Sequence, residues 1–399
     1  MSTNQPQIVI KEVSTGKDYM TLLTMDGRLL FMGQNTFALG SVLSGEKLPD
    51  YVTCLEEACV KVVSGRGDNG VGETFLELGK KETRNFLHVG SGMYFMVVLT
   101  SDYRLISSGS NECGQTGVGQ NASSMGGFSE CVFNKDLQDS KNEILRGIVK
   151  IACGYQHCMI LTRDGTMIGT GCSYQRQLGP IENDISYEFT KLVSPETTTP
   201  IVDIQCGYFS SSCIDANGMV YVVGQESYTR LVAAEKWTKL QTFIYDPVQY
   251  MTMSCSNSFF RTTSGLVYHN WGSNDDNENK PFENLQKLSE IPNVEYIFGK
   301  ENFLAVTESK DIYLSTNSSC SGIIKPPTSD TRWFEYNGLK QHIPKNGRYQ
   351  LFIADAFSFY MYFILSSNKE GHLKDNLKIT LQKGQTDFEK NYFMDIIIK

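Results

Sequence analysis

The side chains of this 399-residue sequence best able to bind a metal or attack a substrate are its five histidines (His88, His157, His269, His342 and His372) and its eleven cysteines. Structural zinc sites draw their ligands in closely spaced pairs. No two histidines stand at such a spacing, no CxxC pair occurs, and Cys153 and Cys158 fall within a stretch that reads as strand. No metal and no cofactor is therefore expected. A nucleophilic Ser, Cys or Thr needs a base and an orienting group converging on it, and no nucleophile elbow or comparable signature marks such a set. No catalytic residue is assigned, and His157 reads as a hydrogen-bonding residue directed at a neighbouring element.

Gly65, Gly67 and Gly70 in VKVVSGRGDNGVG spell the GxGxxG that can cradle a pyrophosphate. That turn works inside a parallel βαβ unit, whereas the hairpin signals along this chain point to antiparallel sheets, so a surface loop is expected. The same loop carries Arg66-Gly67-Asp68, and Asn121-Ala122-Ser123 and Asn317-Ser318-Ser319 match the glycosylation sequon. Both signals presuppose secretion. The start, MSTNQPQIVIKEV, lacks a basic region followed by an apolar one, and no apolar run reaches membrane-spanning length. An intracellular, cytoplasmic chain with reduced thiols is expected, with cytoskeletal, ciliary and nuclear sites left open. A net charge of -8 and a pI near 5.3 give no general field for phosphates. Lys135, Lys141, Arg146 and Lys150 alternate with Asp136, Asp139 and Glu143, as in a solvated loop. Partners are thus expected to be proteins, with nucleic acid disfavoured and no membrane.

The elements that must position these residues are hairpins. IACGYQHCMILTRDGTMIGTGCSYQRQLG, at 151–179, reads as strand, Asp-Gly turn and strand. Laid along the chain without gaps, it yields a small-residue column at Gly16, Gly92, Gly154, Gly207, Ser254, Gly299 and Ser358. A turn column follows at a fixed distance, at Gly27, Tyr103, Gly165, Gly218, Gly265, Lys310 and Lys369. Before the turn come Leu23-Thr24, Leu99-Thr100, Leu161-Thr162 and Val306-Thr307, read as a strand's last buried and first exposed positions. Cys153 and Cys206 stand just before the repeat glycine and read as packing. After the turn a second strand ends at Gly33, Gly109, Gly171 and Gly224, where glycine is expected to supply a positive φ or a close approach that a side chain would forbid.

Each repeat has room for about four short strands. One such sheet cannot bury both faces, whereas a closed ring of them can. The fold expected is all-β, a seven-bladed propeller of four-stranded antiparallel blades occupying 1–399 as a single domain. Long loops are expected at about 45–88 and 118–147.

The pattern I-A-C-G-x-x-H, L-T-x-D-G, G-x-N and G-Q-x-G resembles the repeats of the regulator of chromosome condensation family. The match is strong at 151–179, good at 13–40 and 89–117, partial at 204–224 and 251–274, and faint at 296–316 and 355–375. The resemblance implies the same seven-bladed propeller, with a segment near 7–13 pairing into the last blade. It also implies a functional face built from the loops after the small-residue column, where family members carry acidic residues and histidines.

In this chain the pairs after that column are Lys17-Asp18, Met93-Tyr94, Tyr155-Gln156, Tyr208-Phe209, Cys255-Ser256, Lys300-Glu301 and Phe359-Tyr360, and the histidine position is kept only at His157. Partner contact is therefore expected from Asp18, Tyr94, Phe95, Tyr155, His157, Phe209, Glu301 and Tyr360. With the loops largely aromatic and neutral, the expected function is a non-catalytic interaction scaffold or assembly subunit. The alternative is a guanine nucleotide exchange factor for a Ran-like GTPase, and a chromatin adaptor comes third.

Overall fold

Short apolar runs punctuated by Thr-Asp-Gly turns fold as consecutive antiparallel hairpins. The computed structural model describes residues 10–16, 19–33, 52–54, 76–78, 85–120, 124–224, 234–243, 245–253, 258–269, 285–299, 303–309, 311–315, 333–335, 349–356, 360–367, 378–382 and 393–397. The first sheet contains β1 (Ile10–Gly16), β2 (Tyr19–Thr24), β3 (Leu29–Gly33), β4 (Val52–Cys54) and β5 (Leu76–Leu78), in the order β1-β2-β3-β5-β4. Five sheets of four sequential strands follow. The second is β6 (Phe86–Ser91), β7 (Phe95–Thr100), β8 (Leu105–Ser110) and β9 (Ser124–Glu130), after which comes the helix α1 (Lys141–Gly147). The third is β10 (Ile148–Cys153), β11 (His157–Thr162), β12 (Met167–Cys172) and β13 (Ile185–Lys191). The fourth is β14 (Ile201–Cys206), β15 (Ser210–Asp215), β16 (Val220–Gly224) and β17 (Ala234–Lys239). The fifth is β18 (Val248–Met253), β19 (Ser258–Thr262), β20 (Val267–His269) and β21 (Gln286–Lys287). The sixth is β22 (Val294–Gly299), β23 (Phe303–Thr307), β24 (Ile312–Ser315) and β25 (Trp333–Glu335). Two ladders close the chain, β26 (Tyr349–Ala356) with β27 (Tyr360–Ser367) and β28 (Lys378–Gln382) with β29 (Phe393–Ile397).

These are blades of an all-β propeller. Among the described residues five sheets have four strands, the first has five, and 349–397 contribute two two-stranded ladders. The segment at 118–147 is not a plain loop, since it supplies β9 and α1. Within the segment 7–13, Ile10, Glu12 and Val13 pair with Thr24, Leu23 and Leu22 in the first sheet. Residues 7–9 lie outside the described ones, as do the GxGxxG and both sequons.

Contacts divide the chain into two compact units, one of 1–34, 48–86 and 295–399, the other of 35–47 and 87–294. In the second unit the cores lie between sheets, which is why its central strands are buried along their whole length. In β11, Cys158 and Ile160 pack with Phe95, Val97 and Leu99 of the second sheet. Met159 and Leu161, on the opposite face, pack with Ile204, Cys213 and Tyr221 of the fourth. The period-2 alternation of a strand thus feeds two apolar cores. Phe243, Phe260 and Val222 continue the pattern between the fourth and fifth sheets.

The turn column is a left-handed column, with φ of +85° at Gly27, +86° at Gly165, +75° at Gly218 and +84° at Gly265. Tyr103 adopts +61° there, its ring packed against the core and covered by the Arg146 guanidinium at 4.4 Å. Lys310 and Lys369 lie outside the described residues. The threonines before the turn are buried, not exposed as their position suggested. Each hydroxyl is drawn into the turn: Thr162 Oγ1 donates to Asp164 Oδ1 at 2.5 Å, and Thr100 Oγ1 receives the Arg104 N–H at 3.0 Å. One feature of the repeat had no sequence signal: a register shift near the start of β1, β10, β14 and β18.

Candidate interaction site

Each loop after the small-residue column in the second to fourth sheets is a tight turn of the same kind. The Gly92 N–H donates to Phe95 O at 2.8 Å, Gly154 to His157 O at 2.9 Å and Gly207 to Ser210 O at 2.9 Å. Successive loops also touch, because the Met93 N–H reaches Gly154 O at 3.3 Å. A Cβ on Gly154 would lie 2.2 Å from His157 Cε1 and 2.3 Å from Gly207 O, and one on Gly92 would lie 2.0 Å from Phe95 Cε1. These glycines are required by close approach. They do not have the left-handed backbone, which belongs instead to the turn column and to Gly109, Gly171 and Gly224. Gly16 and Gly299 end the first strands of their sheets, the place that Gly92, Gly154 and Gly207 immediately follow in theirs.

Half-buried rings gather where the third and fourth sheets meet. Tyr155 lies 5.4 Å from Tyr208 and 5.6 Å from Phe209, the latter edge-on, and Tyr208 and Phe209 are 6.1 Å apart. At these centroid distances the three rings pack on one another, with the Tyr208 phenol oxygen buried. Tyr94 is likewise half-buried on its own loop. Tyr208, which was not singled out from the sequence, completes the cluster by packing on both other rings.

Two expected contact residues are corrected. Phe95 is fully buried in the core shared by the second and third sheets, since it opens β7 facing inward. His157 is fully buried too, its Nε2 hydrogen-bonded to Ser211 Oγ of β15 at 2.9 Å. Burial pushes its imidazole down to about 3, so the ring is neutral. It is the cross-sheet hydrogen bonder that the sequence suggested. Tyr360 opens β27 opposite Ala356, while Asp18 and Glu301 lie outside the described residues. Among the described residues no three His, Cys, Asp or Glu side chains gather as a metal site.

The cations at 135–150 do not form a patch either. Lys141 Nζ faces Glu130 at 3.5 Å, Arg146 covers Tyr103, and Lys150 is ion-paired with Asp203 of the fourth sheet.

The sheet that holds these features is also where the chain matches a known family model, the regulator of chromosome condensation (RCC1) repeat, at residues 148–177. Residues 148–177 thus carry a regulator of chromosome condensation repeat, and the chain is similar to proteins built from such repeats. Among curated relatives of this kind, the regulator of chromosome condensation of Xenopus laevis is 24% identical over 66% of the chain and 59% of the relative. The secretion-regulating guanine nucleotide exchange factor of Bos taurus is 25% identical over 59% of the chain and 56% of the relative. The chain thus spans less than two thirds of either. Among solved structures, Prp20p from Saccharomyces cerevisiae aligns with a TM-score of 0.58 at 14% identity, covering 93% of the chain and 79% of Prp20p. Human WBSCR16 aligns at 0.57 and 16% identity, covering 84% of the chain and 83% of that protein. At such identities the likeness establishes the propeller fold.

Proposed function

We propose that this chain is a non-catalytic protein interaction scaffold, a single propeller of seven repeats whose partner docks on the loops after the small-residue column. The observation that supports this most is the treatment of the family's histidine position. Its one surviving histidine is withdrawn into a sheet-to-sheet hydrogen bond, and the surface left beside it is the ring cluster of Tyr155, Tyr208 and Phe209. Tyrosine is favoured as an interface anchor because it joins a large apolar area to one polar group. Asp18, Tyr94, Glu301 and Tyr360 would extend the contact along the equivalent loops.

The exchange-factor reading draws support from the relatives, one of which is named a guanine nucleotide exchange factor. It would rest on Asp18 and Glu301, the acidic groups in these loops. Affinity isolation with the full chain and with a Tyr155→Ala, Phe209→Ala double variant separates the readings. A partner set dominated by subunits of one assembly and lost with the double variant supports the scaffold. Recovery of a small GTPase, retained by the double variant, contradicts it.

A further inference from the structure

Cys153 and Cys158 face each other on the last rung of the ladder between β10 and β11, and the Cys153 thiol donates to the Cys158 sulfur with the two sulfurs 3.5 Å apart. The next rung is the hairpin turn, where the Gly154 N–H donates to His157 O at 2.9 Å. Gly154 and His157 are thus a hydrogen-bonded pair, and alternation along an antiparallel ladder makes Cys153 and Cys158 a non-hydrogen-bonded one. At such a rung the Cα atoms approach to about 4.5 Å, within the span of about 4.4–6.8 Å that a disulfide bridges. Both side chains lie on one face, in the core shared with the second sheet. Gly90 of β6 makes room for them, since a Cβ there would lie 2.8 Å from the Cys153 sulfur.

Packing alone does not require two thiols at this rung. In the equivalent place Thr15 faces Met20, Cys206 faces Ser211 and Met253 faces Ser258. Among these described rungs, the third sheet is the one that brings two thiols together. The two cysteines also differ. Cys158 is fully enclosed and burial pushes its thiol up, whereas Cys153 retains 6% of its surface. A thiol held protonated is a poor nucleophile, so Cys153 is the sulfur that reacts first.

We propose that Cys153 and Cys158 are an oxidative modification site, at which a small peroxide converts the pair to a cross-strand disulfide bracketing the Tyr155-Gln156 loop. The Cys153 thiolate attacks a peroxide oxygen, the O–O bond breaks, and a sulfenic acid forms with release of hydroxide, which a solvent proton converts to water. The Cys158 sulfur then attacks the sulfenic sulfur. The S–S bond forms as the S–O bond breaks, and the departing hydroxide takes the Cys158 proton to leave as water. The two thiols give up two electrons, and the peroxide accepts them. Side-chain rotation closes the sulfurs from 3.5 Å to the disulfide length of about 2 Å. Hydrogen peroxide is little larger than water and enters at the Cys153 edge, whereas bulkier thiol reductants reach the enclosed bond only when the fold opens. This site stands independently of the scaffold reading.

The test is treatment of the native full chain with hydrogen peroxide, unfolding in N-ethylmaleimide, and tryptic mapping without reductant. Both cysteines fall in one tryptic peptide, 151–163. The expected result is this peptide lighter by two hydrogens and free of maleimide, with chymotryptic cleavage after Tyr155 giving halves that separate only on reduction. Dithiothreitol should restore maleimide labelling quickly in the unfolded chain and slowly in the folded one. Cys158→Ser should keep its fold, because Ser211 and Ser258 hold the same position in the next two sheets. With no second thiol facing it, Cys153 in that variant should go on to the sulfinic acid. Two maleimides on 151–163 in the peroxide-treated wild type would overturn the proposal, and so would a link from Cys153 to any other cysteine.

Discussion

His157 Nε2 and Ser211 Oγ lie 2.9 Å apart, both fully buried, and tie the second strand of the third sheet to the second strand of the fourth. Because burial takes the imidazole from its ordinary 6.5 down to about 3, the unfolded chain binds a proton between these values that the folded chain does not. The contribution is fully present above pH 6.5 and lost as pH falls toward the folded value. At pH 5 the wild type should have lost about 2 kcal/mol on this account. Denaturant unfolding at pH 7 and pH 5 checks it, since His157→Gln should flatten the difference. An identical pH dependence in both proteins would remove His157 from the account.

Gly154 should matter more than the histidine stacked against it. A side chain there meets the Gly207 carbonyl, which is backbone and cannot rotate aside, so Gly154→Val should cost about 3 kcal/mol or more. His157→Ala, which leaves the Ser211 hydroxyl buried without the imidazole, should cost about 1–3 kcal/mol. Thermal melts of the two variants provide the comparison, with Gly154→Val expected to melt lower.

Gly165 and Gly265 share a left-handed backbone but not their surroundings. A Cβ on Gly165 would lie 2.8 Å from Ile201 N, whereas the nearest atom to one on Gly265 is Arg261 Nη2 at 3.9 Å. Gly265→Ala should therefore cost only the conformational penalty, about 1 kcal/mol. Gly165→Ala should cost that plus about 1–3 kcal/mol of steric strain. Equal losses on denaturant unfolding would show that the contact with the next sheet is unimportant.

The fold was legible wherever a repeat kept its turn. Thr162, Asp164 and Gly165 write the hairpin into a four-residue stretch, and the apolar run Cys158, Met159, Ile160 and Leu161 announces a strand buried on both faces. Less was legible where tertiary contact decides the matter. Phe95 and Tyr94 are neighbours of similar type, and only the direction in which β7 starts sends one into the core and leaves the other half-buried. The glycine column was visible, but its reason was not, because the need for Gly154 comes from a carbonyl in the next repeat.

Nucleotide release from Ran, followed with a fluorescent guanine nucleotide and the purified full chain, tests the central claim most directly. Exchange depends on charged recognition groups that set encounter rate and specificity. In the described loops these positions hold Met93, Tyr94, Tyr155, Gln156, Tyr208 and Phe209, with His157 buried behind them. The scaffold account predicts release at the rate of the GTPase alone. Catalysed release that collapses in an Asp18→Ala, Glu301→Ala double variant would contradict it.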